Sequence, residues 1–280
     1  MLKRRRGYLL SRDDVSNPAA RQLESEGWAL LPGAFTRDEV AALKAAVLHV
    51  FETVPADGRG PDPRAWPMFR YEMLNRSAEC QRAVGQRAVL DAIEPLLGED
   101  CHVIANTAWR NPPTSDGLHG GGHWHIDAGP HVPLPDGVEW PREIPHPVFA
   151  IGAHIYLEPC AVADGPTGVI PGSHLSGKPP PADRLLDDEL TWNGRGVEPL
   201  LAAPGDVGLF VSDVWHRRLP TRAGDRGRLF LQVHYGRRDI AQRLRPSAEI
   251  NQLTDAAIER ATDERERTLA GLHPRFFYDG

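Results

Sequence analysis

The sequence predicts a mainly β fold, a β-sandwich or jelly roll with helices packed outside it. Short apolar segments with strand character recur at moderate spacing from about residue 101, and helical patterns precede them. Turns rich in proline and glycine separate the segments, and the chain contains 27 glycines and 26 prolines. Frequent turns of this kind are typical of many short strands rather than of a helical bundle.

The length of 280 residues fits one large β domain, and we expect a single domain over residues 1–280. Its N-terminal part, about residues 1–100, mixes helices with a strand. The jelly-roll core covers about residues 101–236, and a helix and tail follow over residues 237–280.

The N-terminal part reads as helix, short strand and helix over residues 21–51. The spacing of a capping box begins at Thr36, and apolar residues follow at helical intervals, so an amphipathic helix starts there. The loop at residues 55–67 is rich in proline and glycine and is a candidate lid. A further helix is predicted over residues 83–97, with Gly98 as a left-handed cap.

The core is predicted to contain four main strands, at residues 101–110, 147–157, 207–211 and 228–235. The prolines of residues 128–146 exclude that segment from a central strand. Residues 203–206 have proline and glycine at the two centre positions, as a type II turn prefers. A polar helix is expected at about residues 255–270.

Composition excludes several functional classes. The net charge of −6 and the pI near 6.1 argue against binding to nucleic acid or to an anionic membrane. No run approaches the roughly 18 apolar residues of a membrane span, and the apolar run after the basic residues 3–6 is too short for a signal peptide. Because Cys80, Cys101 and Cys160 are far apart, we expect neither disulfides nor a zinc knot, and a cytoplasmic location.

A candidate metal site centres on His125 and Asp127. Residues two apart in a strand project to the same side, so these two side chains can bind one ion. Two histidines and one carboxylate, with open coordination positions, form the facial triad of non-haem Fe(II) oxygenases. We assign His216 as the third ligand, because it follows a strand that leaves a tight turn. In a jelly roll, strands distant in sequence lie side by side.

The sequence leaves other ligand sets open. His119, His123 and His131 crowd the same region, so a different selection of ligands is an alternative. A zinc or copper site is a further alternative, because imidazole suits both metals.

Several segments in a fixed order carry a family resemblance: GWALLPGAF with EVAAL, HWHID, DGPTGVIPGSH, APGDVGLF, His216 and Arg228. They cover roughly residues 21–236. In these segments the chain resembles the phytanoyl-CoA dioxygenase-like family of Fe(II)/2-oxoglutarate-dependent oxygenases. The resemblance implies a double-stranded β-helix, which is a cupin-like jelly roll, in which His125, Asp127 and His216 bind iron.

The resemblance also implies a cosubstrate site. Arg228 would pair with the distal carboxylate of 2-oxoglutarate, and a guanidinium can donate two parallel hydrogen bonds to one carboxylate. Thr107 and His154 would line the same pocket. Arg226 lies in a turn flanked by glycines, where water or Asp225 satisfies its charge, whereas Arg228 opens a strand.

Arg217 and Arg218 depart from the family pattern. The family often has small residues just after the third metal ligand, and one of them can touch the cosubstrate. The two arginines either point to solvent or meet an acidic substrate, and the sequence leaves both interpretations open.

We therefore expect an enzyme that uses Fe(II), 2-oxoglutarate and O₂ to hydroxylate a C–H bond of a small organic molecule, releasing succinate and CO₂. A tailoring step in bacterial secondary metabolism is the expected role. Desaturation, cyclisation or epoxidation with the same cofactors stays open. Asp127 argues against halogenation, because halogenases of this broad group have a small residue there.

A non-catalytic jelly-roll binding module is the alternative of another class. The presence of the triad and of Arg228 together weighs against it. The sequence identifies neither the substrate nor the oligomeric state. Candidate substrate-pocket residues are Trp109, Trp124, Tyr156, Trp215, His119 and Arg70.

Overall fold

The computed structural model describes residues 16–56, 67–114, 120–141, 143–244 and 252–273. The α-helices of this part are α1 (Pro18–Glu26), α2 (Arg37–Thr53), α3 (Met73–Arg76), α4 (Ala78–Ala83), α5 (Arg87–Leu97), α6 (Asp255–Arg260) and α7 (Glu264–Leu269). The strands are β1 (Trp28–Leu31), β2 (Phe69–Tyr71), β3 (His102–Asn111), β4 (Ala150–Tyr156), β5 (Thr167–Val169), β6 (Glu198–Pro199), β7 (Val207–Val211), β8 (His216–Arg218) and β9 (Arg228–Gly236).

The strands form two antiparallel sheets. The large sheet has the order β1-β7-β4-β9-β3-β2, and the small sheet has the order β6-β5-β8. Most neighbours in these sheets are far apart in sequence, as in a jelly roll. The predicted fold class, mainly β with flanking helices around a double-stranded β-helix core, is confirmed.

The two faces of the large sheet have different surroundings, because side chains alternate along each strand. On β9, Leu229, Leu231 and Val233 belong to the main hydrophobic core together with residues of α2 and α5, such as Val47 and Ile93. Full burial of each such side chain contributes about 1.5–3 kcal/mol. The opposite face of the sheet is therefore free to carry polar residues, and we call it the inner face.

Two predicted local features, a helix cap and a turn, are confirmed in detail. The Thr36 hydroxyl accepts the Glu39 amide and the Glu39 carboxylate accepts the Thr36 amide, which completes the capping box of α2. In the turn at residues 203–206, the Asp206 amide donates to the Ala203 carbonyl over 3.1 Å. Gly205 has a φ of +93°, as the third position of a type II turn requires.

The predicted helix at residues 83–97 is wrong at its start. The chain ends α4 at Ala83, turns, and begins α5 at Arg87. The cap prediction is also wrong, because Gly98 has a φ of 98° and a ψ of 153°, outside the left-handed helical region. Its amide nevertheless bonds to the Glu94 carbonyl over 2.8 Å and closes the last turn.

The predicted C-terminal helix is divided into two. After α6, Asp263 accepts the Glu266 amide, and Glu266 accepts the Asp263 amide, so a second capping box starts α7. The described residues of the segment 128–146 contain no strand, as predicted. Most of the candidate lid at 55–67 lies outside the described residues. Among the helices that the structure describes, none is long and apolar enough to cross a membrane.

Candidate metal centre

The backbone brings the two predicted ligand segments together. His125 and His216 form an antiparallel bridge in which each amide donates to the other's carbonyl over 3.0 Å. The Asp127 amide donates to the Ser212 carbonyl over 3.0 Å, and the Gly122 amide to the Arg218 carbonyl over 2.9 Å. Residues 122–127 therefore run beside β8 at the edge of the small sheet.

The side chains of His125, Asp127 and His216 converge. Their ligand atoms all lie within 4.8 Å of one another. From Asp127 Oδ1, the distance is 3.4 Å to His216 Nε2 and 3.8 Å to His125 Nε2. Donor atoms about 2.0–2.2 Å from one ion and at right angles to each other lie about 3 Å apart. The cluster fits an ion after small side-chain shifts.

Hydrogen bonds on the far side of each imidazole set the direction of the free nitrogen. His125 Nδ1 lies 2.8 Å from the His123 carbonyl, and His216 Nδ1 lies 2.9 Å from the Val214 carbonyl. A carbonyl only accepts, so each Nδ1 carries the proton and donates. Both Nε2 atoms therefore point at the shared centre, as those of metal-ligating histidines do. Burial lowers the pKa of His216, but the charge and hydrogen bond of Asp127 outweigh it and raise the pKa, so metal binding would displace a proton from His216 Nε2.

Asp127 has a partner that the sequence analysis did not identify. Its Oδ2 accepts a hydrogen bond from His234 Nε2 over 2.7 Å. Burial raises the pKa of Asp127, but the charges and hydrogen bonds of His216 and His234 outweigh it and hold the pKa well below its ordinary value. The carboxylate is therefore ionised, as a metal ligand must be.

The centre is open on one side. The His125 side chain is 51% exposed, Asp127 is 21% exposed and His216 is 6% exposed. The Phe210 ring covers His216, with the ring centroids 4.7 Å apart. Three donors on one side of an ion leave coordination positions toward the opening, and this donor set suits Fe(II).

Arg228 lies on the inner face of β9 and is buried. Its Nη2 donates to Asn111 Oδ1 over 3.0 Å, while its Nε has no hydrogen-bond partner in the described part of the chain. Burial lowers the pKa of Arg228. A buried guanidinium with a spare donor and no carboxylate partner fits a site for an anion.

Arg226 occupies a different environment from Arg228. Its side chain is exposed and pairs with Asp164, whose Oδ2 accepts from Nη2 over 2.7 Å. We expected water or Asp225 as its partner, but Asp225 accepts from the Thr114 hydroxyl instead, over 2.9 Å.

Two predicted cosubstrate residues also lie on the inner face. Thr107 pairs with Gln232 across β3 and β9, and His154 pairs with Gln232 across β4 and β9. The His154 ring lies 4.5 Å from the ring of Phe230, which neighbours Arg228 on that face. Burial lowers the pKa of His154 well below its ordinary value, so its imidazole is neutral.

Two of the predicted substrate-pocket residues also lie on the inner face. Trp109 stacks on Phe230 at 6.3 Å, and its indole nitrogen donates to Gln232 Oε1 over 2.6 Å. Tyr156 is buried in a small cluster with Cys160 and Phe230.

Three other pocket predictions differ from the structure. Trp124 and Trp215 are buried together in a separate cluster, because each is the sequence neighbour of a candidate ligand and points the opposite way. Arg70 pairs with Ala108 across β2 and β3, on the face away from Trp109, and donates to the Val54 carbonyl over 2.9 Å. His119 lies outside the described residues.

The sequence analysis missed three residues that the structure places at the site: Asn111, Gln232 and His234. Alternation along β9 was the available signal, because Gln232 and His234 share the face of Arg228. Asn111 could be found only from the pairing of β3 with β9, which places it opposite Arg228.

Comparison with known proteins agrees with the family resemblance of the sequence. Residues 23–226 match the family described as phytanoyl-CoA dioxygenase (PhyH). No protein with a curated description matches the sequence.

Three solved structures illustrate the likeness of fold. The epimerase SnoN, in complex with Fe3+, alpha ketoglutarate and nogalamycin RO, is 16% identical with a TM-score of 0.62, over 87% of this chain and 90% of that chain. The carbocyclase SnoK from nogalamycin biosynthesis is 17% identical with a TM-score of 0.58, over 87% of this chain and 91% of that chain. EctD from S. alaskensis, with 2-oxoglutarate and 5-hydroxyectoine, is 22% identical with a TM-score of 0.59, over 80% of this chain and 76% of that chain.

Proposed function

The chain belongs to the phytanoyl-CoA dioxygenase family, and we propose that it is an Fe(II)- and 2-oxoglutarate-dependent oxygenase. It hydroxylates a C–H bond of a small organic molecule with O₂ and releases succinate and CO₂. The two similar enzymes SnoN and SnoK come from nogalamycin biosynthesis, which supports a tailoring role in secondary metabolism. The three cysteines are free and buried, in keeping with a reducing cytoplasm.

One observation carries the proposal. Two imidazoles and an ionised carboxylate converge within 4.8 Å, and the buried Arg228 has a spare donor on the inner face of β9, the strand whose His234 bonds to Asp127. A metal-binding scaffold alone requires only the first feature. A cosubstrate with a distal carboxylate requires both.

Each residue has a separate task in this proposal. His125, Asp127 and His216 hold the iron, and His234 orients the carboxylate of Asp127. Arg228 donates to the distal carboxylate of 2-oxoglutarate. Bound iron and cosubstrate supply the oxidising chemistry, while the protein supplies position and a water-poor surrounding.

A second reaction is compatible with the same metal and cosubstrate. The epimerase SnoN and the carbocyclase SnoK have this fold, so cyclisation is the principal alternative to hydroxylation with the same cofactors. The ligands of the iron are the same for both outcomes, and the position of the substrate selects between them. The small molecules bound in the similar structures, nogalamycin RO and 5-hydroxyectoine, support a small organic substrate, and the net charge of −6 does not favour nucleic acid.

Anaerobic spectroscopy tests the proposal. The apoprotein supplied with Fe(II) and then with 2-oxoglutarate should develop the weak visible charge-transfer band of a chelated 2-oxo acid. His216→Ala should abolish the band, because two protein ligands remain. His123→Ala is the matched control, since His123 contributes only its backbone carbonyl.

Two results would count against the proposal. Folded wild-type protein without the band would favour a binding module. Loss of the band in His123→Ala, with retention in His216→Ala, would overturn the ligand assignment.

A further inference from the structure

Strand β8 directs its two arginines to opposite sides. Arg217 pairs with Asp188, and its guanidinium lies 4.9 Å above the Trp124 ring, outside the metal centre. Arg218 is two residues from His216 and therefore shares its face. It pairs with Thr167 across β8 and β5, and the Thr167 hydroxyl lies 3.4 Å from His154 Nδ1. The Arg218 side chain consequently enters the barrel.

Arg218 forms no ion pair with an acidic side chain among the described residues. Its Nε and Nη2 are buried and lack a hydrogen-bond partner within the described ranges. The nearest acidic group, Asp225, is engaged by Thr114 and by the Gly227 amide. Burial raises the pKa of the neighbouring Cys160 thiol to about 11, so this group is neutral.

A continuous line of contacts joins Arg218 to Arg228. Thr167 pairs with Arg218 and adjoins His154, the His154 ring lies 4.5 Å from the Phe230 ring, and the Arg228 guanidinium lies 5.3 Å from the centre of that ring. Burial and then the charge of Arg228 lower the pKa of Arg218 to about 10, so both remain charged at neutral pH. Both also act on the same buried Cys160. Gly165 leaves room for the Arg218 side chain, because a Cβ there would lie 3.3 Å from its Nε. Arg228 is buried and Arg218 is half-buried, and both have buried N–H donors without a partner among the described residues, so the two cations favour an anion between them.

We propose that Arg218 and Arg228 together form the binding site for the distal carboxylate of 2-oxoglutarate. A carboxylate has two oxygens and about four acceptor positions, so it can accept from both guanidiniums at once. Arg218 is then a specificity-determining residue that selects dicarboxylic over monocarboxylic 2-oxo acids. This inference rests on the proposed function and adds a second anchor to it.

Anaerobic titration of the Fe(II)-loaded protein tests the inference, with the visible band as the readout. The ligands are 2-oxoglutarate and 2-oxobutanoate, which has the same chelating end but lacks the distal carboxylate. The variants are Arg218→Ser and Arg218→Lys. Arg222→Ser is the matched control, because Arg222 is an exposed arginine four residues further along.

Arg218→Ser should weaken 2-oxoglutarate binding about ten- to one-hundredfold, the range for lost hydrogen bonds to a charged group. Arg218→Lys should recover part of the loss. Binding of 2-oxobutanoate should stay within about threefold of wild type in both variants, and Arg222→Ser should behave as wild type.

An unchanged 2-oxoglutarate affinity in Arg218→Ser would overturn the inference while leaving the proposed function intact. An equal loss for both acids would also overturn it, because Arg218 would then support the whole site. Absence of the band in wild-type protein would refute the proposed function and this inference with it.

A second measurement does not depend on iron. Glutarate should raise the unfolding temperature of metal-free wild-type protein more than that of Arg218→Ser. Equal shifts would contradict a role for Arg218 in binding the carboxylate.

Discussion

The hydrogen bond from His234 to Asp127 allows a sharp test of how the candidate metal centre is organised. Replacement of His234 by phenylalanine keeps a ring of similar size and removes the donor. Asp127 Oδ2 then loses a 2.7 Å hydrogen bond to an ionised carboxylate. The carboxylate is then held less firmly, because its remaining contacts to the candidate histidine ligands are longer, 3.4 Å to His216 and 3.8 Å to His125 from Oδ1.

Loss of such an outer partner typically weakens metal binding 10- to 100-fold. That range corresponds to about 1.4–2.7 kcal/mol of binding free energy. Asp127 is 21% exposed, so water replaces part of the lost bond, and we expect the lower half of the range, about 10- to 30-fold. Titration of metal-free protein with Fe(II) under anaerobic conditions measures the change directly.

His123→Ala is the control for this experiment. Its side chain is a neighbouring imidazole outside the cluster of candidate ligands, and its carbonyl remains to orient His125 after the substitution. Circular dichroism at the same temperature confirms that both variants are folded. An Fe(II) affinity in His234→Phe equal to that of His123→Ala would refute the reasoning.

Three further predictions follow from the same structure. Arg228→Ala should raise the dissociation constant of 2-oxoglutarate at least about tenfold, while Arg226→Ala should change it little, and calorimetric titration with the order reversed would contradict the assignment. Gly152→Ala places a Cβ 2.6 Å from the phenyl ring that covers the third ligand, so urea unfolding should show a loss of about 1–3 kcal/mol. Burial lowers the pKa of both His146 and His174 from 6.5 to about 4. The unfolded chain therefore binds more protons between these values, and stability should fall as the pH falls from about 6.5 to about 4. His174→Asn should reduce this pH dependence in urea titrations at pH 7 and pH 5, and an unchanged dependence would argue against it.

The local sequence predicted the parts of the structure that depend on short-range geometry. The capping box at Thr36 and the turn at residues 203–206 involve only residues three apart, so their side chains and dihedral preferences suffice. Alternation along one strand brought His125 and Asp127 to one side, and the structure brings His216 to them. The roles of these residues as iron ligands remain a proposal.

Strand alternation also decides on which side the neighbouring aromatic residues lie. Alternation that joins His125 to Asp127 also sends Trp124 to the other side, and it separates Trp215 from His216. We expected both tryptophans in the substrate pocket because they are close in sequence to the ligands. In the structure both are buried in a separate hydrophobic cluster with Ile170 and Leu190.

Other features required knowledge of strand pairing. Asn111 meets Arg228, and Arg70 turns away from the inner face, only because β9-β3-β2 are neighbours with a particular register. The sequence separation of β3 and β9 exceeds one hundred residues, so no local pattern specifies their alignment. The same limit applies to Arg217 and Arg218, because the side on which each arginine lies follows from the pairing of β8 with β5.

In the proposals above, the three residues of β8 have three different tasks: His216 binds the metal, the buried Arg217 packs on the Trp124 ring and Arg218 binds the carboxylate, so one strand alignment serves all three. A slip of one residue against β5 would withdraw His216 from the centre, force Arg217 into the barrel and expel Arg218. If His125, Asp127 and His216 hold iron as proposed, iron binds tightly only to the native alignment, and metal binding stabilises that alignment by mass action. Iron loading during folding would then act as a selection step for correctly paired chains, and misaligned chains would stay metal-free and available for refolding or proteolysis.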